Sequence, residues 1–172
     1  MNWPLVSRFV FFLVLVGSSF GTLSSAVAIT GETGLPIPRF VSLKSDRVNM
    51  RLGPGWDYAV VWVFHRKGLP VEIISEFGWW RQVRDSEGDE GWIHHSLLDG
   101  VRHVLVKRTQ DGTLAPLYEA DEGKDRVAQV QLGVVGRLLE CNSTRCRVSV
   151  SGERGWIDKT QLWGVYPHEE LE

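Results

Sequence analysis

Apolar residues in this chain recur with the two-residue period of β-strands. From residue 48 to 52, Val48, Met50 and Leu52 alternate with two polar residues, and alternate residues of a strand point to opposite faces of a sheet. Glycine, proline or aspartate separates such segments, as is typical of strands joined by turns. The predicted strands are 47–52, 59–64, 70–77, 79–85, 90–94, 101–107, 126–132, 136–141, 145–150 and 154–158. No long segment has a helical period, so the sequence predicts an all-β protein, with single helical turns possible at 96–98 and 160–162.

An internal repeat organises these strands into two groups. Residues 91–101 and 155–165 align without a gap, about 64 residues apart. The identical pairs are Gly91/Gly155, Trp92/Trp156, Ile93/Ile157, Leu98/Leu162, Gly100/Gly164 and Val101/Val165. Five short strands in about 60 residues suit a small, strongly bent barrel, which leaves few open sheet edges. We therefore predict two tandem small β-barrels, in contact because no flexible linker joins them.

The N-terminus has the pattern of a secretory signal peptide. Arg8 precedes an apolar run at 9–16, and Ala26-Val27-Ala28 fits the A-x-A cleavage pattern. The run is short for a membrane span, although an uncleaved anchor is the alternative. The predicted organisation is a signal peptide at 1–28, an extended lead at 29–39, a first domain at 40–100, a second at 101–166 and a solvated acidic tail at 167–172. No membrane span is expected in the mature chain.

Charge excludes some partners. The 172 residues carry 19 Lys and Arg against 21 Asp and Glu, a net charge of -2. Positive and negative residues are mixed along the chain, without the basic cluster that nucleic acids or anionic lipids require. We expect no nucleic-acid partner.

The two cysteines, Cys141 and Cys146, flank a polar turn between two predicted strands. Export would place them in an oxidising compartment, where disulfides persist. A cystine across this hairpin is the favoured interpretation, and free thiols or metal and redox chemistry are the alternatives. Two cysteines alone are too few for a zinc site, and the spacing is not C-x-x-C.

Signals for catalysis are weak. Five histidines are scattered along the chain, and the adjacent His94 and His95 should diverge on a strand. No nucleophile elbow is present, and Asp or Glu ligands are not arranged around the histidines. We expect no catalytic residue, no metal site and no cofactor.

Gly53-Pro54-Gly55 ends the first alternating segment and predicts a tight corner. Proline fixes its own φ, and Gly55 can adopt a positive φ without steric cost. The tripeptide lacks the lysine and the following helix of a phosphate-binding loop. The corner should send the chain into a loop that carries Trp56 and Tyr58.

The stretch VNMRLGPGWDY at 48–58 resembles the hallmark of bacterial SH3-like domains. Trp80 and Val83, followed by Gly91, Trp92 and Ile93, match the closing segment of that family. The resemblance covers about residues 40–100 and implies an SH3-like fold. In the second copy Leu117 and Tyr118 fall opposite Met50 and Arg51, the corner is absent, and Arg145 stands in place of Trp80.

The candidate ligand-binding residues lie in the first copy: Trp56, Tyr58, Trp79, Asn49 and Arg51. The three aromatic residues would form a shallow platform for a ligand, or else pack within the molecule. Asn49 and Arg51 would line a groove or hydrogen-bond the loop after the corner. Trp80 and Trp92 are expected in the core, and because adjacent residues point apart, one of Trp79 and Trp80 should be exposed.

The resemblance implies a function outside the cytoplasm. Bacterial SH3-like domains are associated with the cell envelope, and several bind peptidoglycan. We therefore expect a periplasmic or secreted, non-catalytic binding module that recognises the peptide or glycan of the wall through its first domain. The alternative is an interaction or scaffold protein that binds an envelope protein with the same surface.

Overall fold

The computed structural model describes residues 29–107 and 114–172, and it is all-β. The predicted signal peptide lies outside the described residues. The strands are β1 (Ile29–Thr30), β2 (Pro36–Ile37), β3 (Arg39–Leu43), β4 (Val48–Arg51), β5 (Val60–Phe64), β6 (Pro70–Phe77), β7 (Trp80–Arg84), β8 (Glu90–His94), β9 (Leu98–Asp99), β10 (His103–Val106), β11 (Leu114–Tyr118), β12 (Arg126–Gln131), β13 (Val135–Cys141), β14 (Arg145–Val150), β15 (Glu153–Asp158) and β16 (Leu162–Trp163). Single 3-10 turns at His95–Leu97 and Lys159–Gln161 overlap the two predicted helical turns. Within the described ranges, no helix reaches the length and hydropathy of a membrane span.

The two copies of the repeat fold into two sheets with one topology. The first sheet has the strand order β5-β4-β8-β7-β6-β3-β9, and the second has β12-β11-β15-β14-β13-β10-β16. Each strand of the first sheet therefore has a counterpart at the same place in the second: β3 corresponds to β10, and β9 corresponds to β16. All pairings are antiparallel. Matching bulges in β6 and β13 bend both sheets at the same place, since a bulge increases local twist.

Each sheet surrounds its own apolar core. The first core contains Leu43, Val48, Met50, Phe64, Val71, Ile73, Val83 and Ile93. The second contains Val104, Val106, Ala115, Leu117, Val130, Leu138, Cys141, Cys146, Val148, Ile157, Leu162 and Val165. Trp92 was expected in the core, but it is only half-buried. Its neighbours Gly91 and Ile93 point inward on β8, which leaves Trp92 on the outer face.

The two domains are in direct contact. The ring of Phe40 lies 5.1 Å from that of Trp163 and 4.7 Å from that of Tyr166. Trp163 donates to the carbonyl of Pro70 at 3.3 Å, and the Tyr166 hydroxyl lies 3.0 Å from a carboxylate oxygen of Glu72. Burial, followed by the charge of Glu72, raises the pKa of Tyr166. The prediction that the copies pack together is consistent with these contacts.

The tail is anchored, whereas the sequence predicted that it is solvated. Glu169 forms an ion pair with Arg102 at 2.7 Å, and Leu171 pairs with Cys141 through backbone hydrogen bonds. Burial alone would raise the pKa of Glu169, but the hydrogen bonds from Arg102 and the backbone of Tyr166 outweigh it and lower the pKa. The acidic composition of the tail indicated exposure to solvent, and it gave no sign of the pairing with Arg102 and Cys141.

Cys141 and Cys146 form the predicted disulfide, and they face each other across β13 and β14. The equivalent positions in the first domain are Glu76 and Arg81, which face each other across β6 and β7. Glu76 is fully buried and lies 2.6 Å from Arg39 and 3.3 Å from Arg81. One domain is thus tied at this point by a covalent bond and the other by a buried ion pair.

The lead completes that ion-pair cluster. β1 and β2 form a small hairpin, and between them Thr33 donates to Glu76 from its backbone nitrogen at 2.8 Å and from its hydroxyl at 2.9 Å. Burial of the Glu76 carboxylate would raise its pKa. The hydrogen bonds from Thr33 and Arg39 and the charge of Arg39 outweigh burial and lower the pKa to about 2.

Candidate functional site

The Gly-Pro-Gly corner is shaped by an aromatic ring. Neither Gly53 nor Gly55 has a positive φ, so the corner does not use the conformational freedom of Gly55. A Cβ atom on Gly53 would lie 2.5 Å from ring carbons of Tyr58, and one on Gly55 would lie 3.2 Å from that ring. The glycines are therefore needed because Tyr58 lies against the backbone of the corner.

Arg51 holds the loop that follows. Its guanidinium donates to the carbonyl of Trp56 at 2.9 Å and to that of Tyr58 at 2.7 Å. The guanidinium carbon also lies 5.5 Å from the centre of the Trp56 ring, within range of a cation–π contact. Arg51 thus takes the loop-holding role that the sequence left open, and it positions Trp56.

Trp56 and Trp80 form two walls of a groove. Trp80 lies directly opposite His94 across β7 and β8, on the outer face of the sheet and outside the core cluster. It is nevertheless only 8% exposed, because the rings of Trp56 and His94 pack on it at 4.9 and 5.4 Å. Trp80 was expected in the core of the barrel. It is buried instead in a smaller cluster with Trp56 and His94 on the outer face of the sheet.

The groove has a volume of about 190 Å³. It is lined by Arg47, Asn49, Arg51, Trp56, Trp80, His94 and Leu97. Two guanidinium groups and no carboxylate are among these seven residues, so the lining is positively charged. The arrangement is suited to an anionic or polar group beside an apolar one.

Among the seven lining residues, His94 is the one whose side chain ordinarily titrates near neutral pH. Desolvation, followed by repulsion from His95 and Arg81, lowers its pKa. Its Nδ1 lies 2.8 Å from the Ser96 hydroxyl. His94 is therefore harder to protonate than a free imidazole, and it adds a hydrogen-bonding group to the lining.

A row of four rings extends from the groove. The centroids of Trp56 and His94 are 5.2 Å apart, those of His94 and His95 are 4.8 Å apart, and those of His95 and Trp79 are 5.1 Å apart. Trp56 is 62% exposed and Trp79 is 69% exposed. As expected, one of the two adjacent tryptophans is exposed: Trp79 is, whereas Trp80 is buried.

The predicted site residues fall into three places. Asn49, Arg51 and Trp56 line the groove, Tyr58 supports the corner, and Trp79 lies at the far end of the ring row. Sequence reasoning missed Arg47, His94 and Leu97 as lining residues, and it assigned Trp80 to the core. The signal for His94 was its position opposite Trp80, which requires the register of β7 and β8.

The equivalent place in the second domain is filled by its own side chains. Arg145 and Asp158 replace Trp80 and His94 in the pairing of β14 and β15, and their side chains form an ion pair at 2.7 Å. The Arg145 guanidinium lies 3.8 Å from the centre of the Tyr118 ring, and Tyr118 replaces Arg51. Arg145 also donates to the carbonyl of Gly123 at 3.0 Å, in the loop that replaces the corner.

Two other observations bear on the choice of site. A cleft of about 780 Å³ lies at the junction of the domains, but its apolar walls include Phe40, Trp163 and Tyr166, which hold the domains together. In the part of the chain that the structure describes, no three His, Cys, Asp or Glu side chains are grouped to hold a metal ion. The groove beside the corner is therefore the candidate site.

A family model described as "Bacterial SH3 domain" matches residues 44–100 and 112–164. Among solved structures, NlpC2 from Trichomonas vaginalis is 16% identical over 73% of this chain and 48% of that chain, with a TM-score of 0.33. NlpC1 from Trichomonas vaginalis is 17% identical over 81% of this chain and 47% of that chain, with a TM-score of 0.34. The chain thus spans about half the length of these two proteins, and likeness at this level says nothing about its activity. No curated protein matches the sequence significantly.

Proposed function

This protein belongs to the bacterial SH3 domain family, and we propose that it is a non-catalytic binding protein of the cell envelope whose first domain recognises peptidoglycan. One contrast carries the proposal. The first domain has an open groove beside Trp56 and Trp80, whereas Arg145 fills the equivalent place in the second domain. We assign ligand binding to the first domain and a supporting role to the second.

The chemistry of the groove favours the peptide portion of the wall as the group that enters it. Arg47 is exposed and Arg51 lies beside it in the lining, and guanidinium groups form strong charge-assisted hydrogen bonds with carboxylates. The indole walls accommodate small apolar side chains next to such a carboxylate. Beyond the groove, the exposed face of Trp79 offers a flat surface for an adjoining sugar ring or peptide.

The same lining gives little support for catalysis. General acid–base chemistry needs a base within reach of a nucleophile or substrate proton. His94 is the only imidazole among the seven lining residues, and its Nδ1 is engaged by Ser96. No carboxylate or thiol accompanies it there. Family membership likewise supports a binding role.

Location outside the cytoplasm is supported by two features. The predicted signal peptide would export the chain, and the Cys141–Cys146 disulfide is suited to an oxidising compartment. We propose a periplasmic or secreted location on these grounds.

Sedimentation with insoluble peptidoglycan tests the binding proposal. Residues 29–172 should pellet with the wall material, and Trp56→Ala should abolish pelleting because it removes one wall of the groove. Trp79→Ala should weaken pelleting. Val127→Ala is the control, because Val127 is 52% exposed on the second domain. A thermal melt of each variant establishes that the fold is intact.

A second pair of variants tests the role of charge. Arg47→Ala should reduce binding by several-fold and reduce its sensitivity to salt, whereas Arg154→Ala, at an exposed position on the second domain, should leave both unchanged. Wild-type protein that stays in the supernatant would refute the wall proposal. Co-purification of a defined envelope protein, lost in Trp56→Ala, would then support the alternative that the groove binds a protein.

A further inference from the structure

β5 is an open edge with an apolar surface. It lies at the end of the first sheet and pairs on one side only, with β4. Residues 56–62 are all exposed. Val60 is 41% exposed, Val61 46% and Trp62 52%. An open edge with a run of large apolar side chains is a template for pairing with another strand.

The equivalent edge of the second domain is protected. β12 also lies at the end of its sheet, but polar residues interrupt its apolar ones, at Arg126, Gln129 and Gln131. Val127 is its one large hydrophobic residue with a mostly exposed side chain among those described. Proteins commonly discourage edge pairing with polar and charged residues of this kind. The contrast shows that the fold does not require an apolar edge at this position.

The ends of the β5 segment carry opposite charges. Asp57 lies three residues before the strand, and His65 and Arg66 follow it directly; all three are exposed, and the Arg66 guanidinium also donates to the carbonyl of Gly133 in the same copy. When two copies of a strand pair antiparallel, the start of each lies beside the end of the other. Asp57 of one copy would then lie near Arg66 of the other, twice in the same interface.

We propose that β5 is a self-association surface, and that two copies of this protein pair antiparallel through it. The contact is isologous, with the same patch on both copies, and therefore closes as a dimer. It buries Val60, Val61 and Trp62 and pairs open backbone groups on either side of the bulge at Val61. Val60, Val61 and Trp62 do not line the groove, so the buried apolar patch is separate from the proposed ligand site.

Sedimentation-velocity ultracentrifugation of residues 29–172 over a range of concentrations tests the proposal. Wild-type protein should form a dimer, and Val61→Lys should raise the dimer dissociation constant at least tenfold. Val127→Lys makes the same change on the edge of the second domain and should leave the dimer intact. Wild-type protein that stays monomeric at every concentration would overturn the proposal, as would a dimer that Val61→Lys does not weaken.

Charge exchange tests the orientation of the two strands. Asp57→Arg alone places like charges together at both ends of the dimer, and Arg66→Asp alone does the same with the opposite sign. Each variant should be more monomeric than wild type. An equal mixture of the two should recover the dimer, because each end then pairs opposite charges. A mixture as monomeric as its components would refute antiparallel pairing.

Discussion

Replacement of Glu76 by Gln removes one negative charge from the buried cluster of the first domain. The side chain is fully buried, and its carboxylate accepts hydrogen bonds from Thr33 and Arg39 and lies 3.3 Å from Arg81. Glutamine has a similar size, so packing changes little. The variant removes the negative charge that faces Arg39 and Arg81. Its change in stability therefore reports the loss of the ion pairs and not a change in side-chain volume.

The size of the effect follows from the pKa. The surroundings lower the pKa of Glu76 from 4.5 to about 2, although burial opposes the change. One pKa unit corresponds to about 1.4 kcal/mol, so the folded domain favours the carboxylate by about 3 kcal/mol. Because the folded-state pKa is lowered, this stability is present above about pH 4.5 and is lost as pH falls toward 2. Breaking a buried pair in other proteins costs about 3–5 kcal/mol.

Hydrogen exchange of the β6 and β7 amides, followed by mass spectrometry, reports the local stability of the first domain. At pH 7 we expect Glu76→Gln to lower the free energy of opening by about 3 kcal/mol. Urea unfolding at pH 7 and pH 3 gives the pH dependence, and the difference from wild type should shrink at pH 3. Glu90→Gln is the control, because its pair with Arg84 is exposed and should contribute little. A loss for Glu76→Gln no larger than that of the control, or one independent of pH, would refute the reasoning.

Three further predictions follow from the same contacts. Reduction of the Cys141–Cys146 disulfide should destabilise the second domain by about 2 kcal/mol, because the bond closes a short loop; urea unfolding with and without reductant measures it. Gly53→Ala should destabilise the first domain by about 1–3 kcal/mol, since the new methyl group meets the Tyr58 ring; thermal melts compare it with wild type. His94 should titrate below pH 6.5 in a proton NMR experiment, and its contribution to stability should be lost as pH falls below 6.5.

Each of these three predictions has its own control. Reduction should leave hydrogen exchange in β6 and β7 unchanged, because Glu76 rather than a cystine ties that domain. Gly100→Ala adds a methyl group where nothing lies within 4 Å and should melt like wild type. Replacement of His95 by Gln should raise the pKa of His94, since repulsion from His95 helps to lower it. An unchanged His94 midpoint would contradict that cause.

The strands that the sequence predicted were those with clear alternation and turn residues on both sides. β6 was predicted with its observed limits, and β8 likewise. β11 was missed because Pro116 within it is a signal against a strand, although Pro116 pairs with Gln129 of β12. β3 was missed because the prolines at 36 and 38 drew its start into the lead. Leu52 was placed in β4 but is 69% exposed beyond the end of that strand.

The candidate site was only partly accessible from sequence, because it depends on register across strands. Trp56 and Arg51 were identified from the motif around the corner. His94 belongs to the groove only because it lies opposite Trp80, and a single sequence does not give that pairing. The counterpart of the disulfide was concealed in the same way, because only the strand pairing shows that Cys141 and Cys146 occupy the positions of Glu76 and Arg81.

The two domains differ at positions whose side chains contact each other, so each replacement is explained by the replacement of its neighbour: Trp80 and His94 in the first domain correspond to Arg145 and Asp158 in the second. The indole of Trp80 lies on the outer face, where Trp56 and His94 cover it, and the groove beside these rings stays open. Arg145 carries a positive charge and several hydrogen-bond donors. Asp158 pairs with the charge, the Tyr118 ring stacks on the guanidinium, and the carbonyl of Gly123 accepts a hydrogen bond. With those contacts made, the Arg145 guanidinium is satisfied within its own domain. Both domains keep the same fold because each retains its apolar core on the inner face, and the difference in function that we propose lies in the side chains of the outer face.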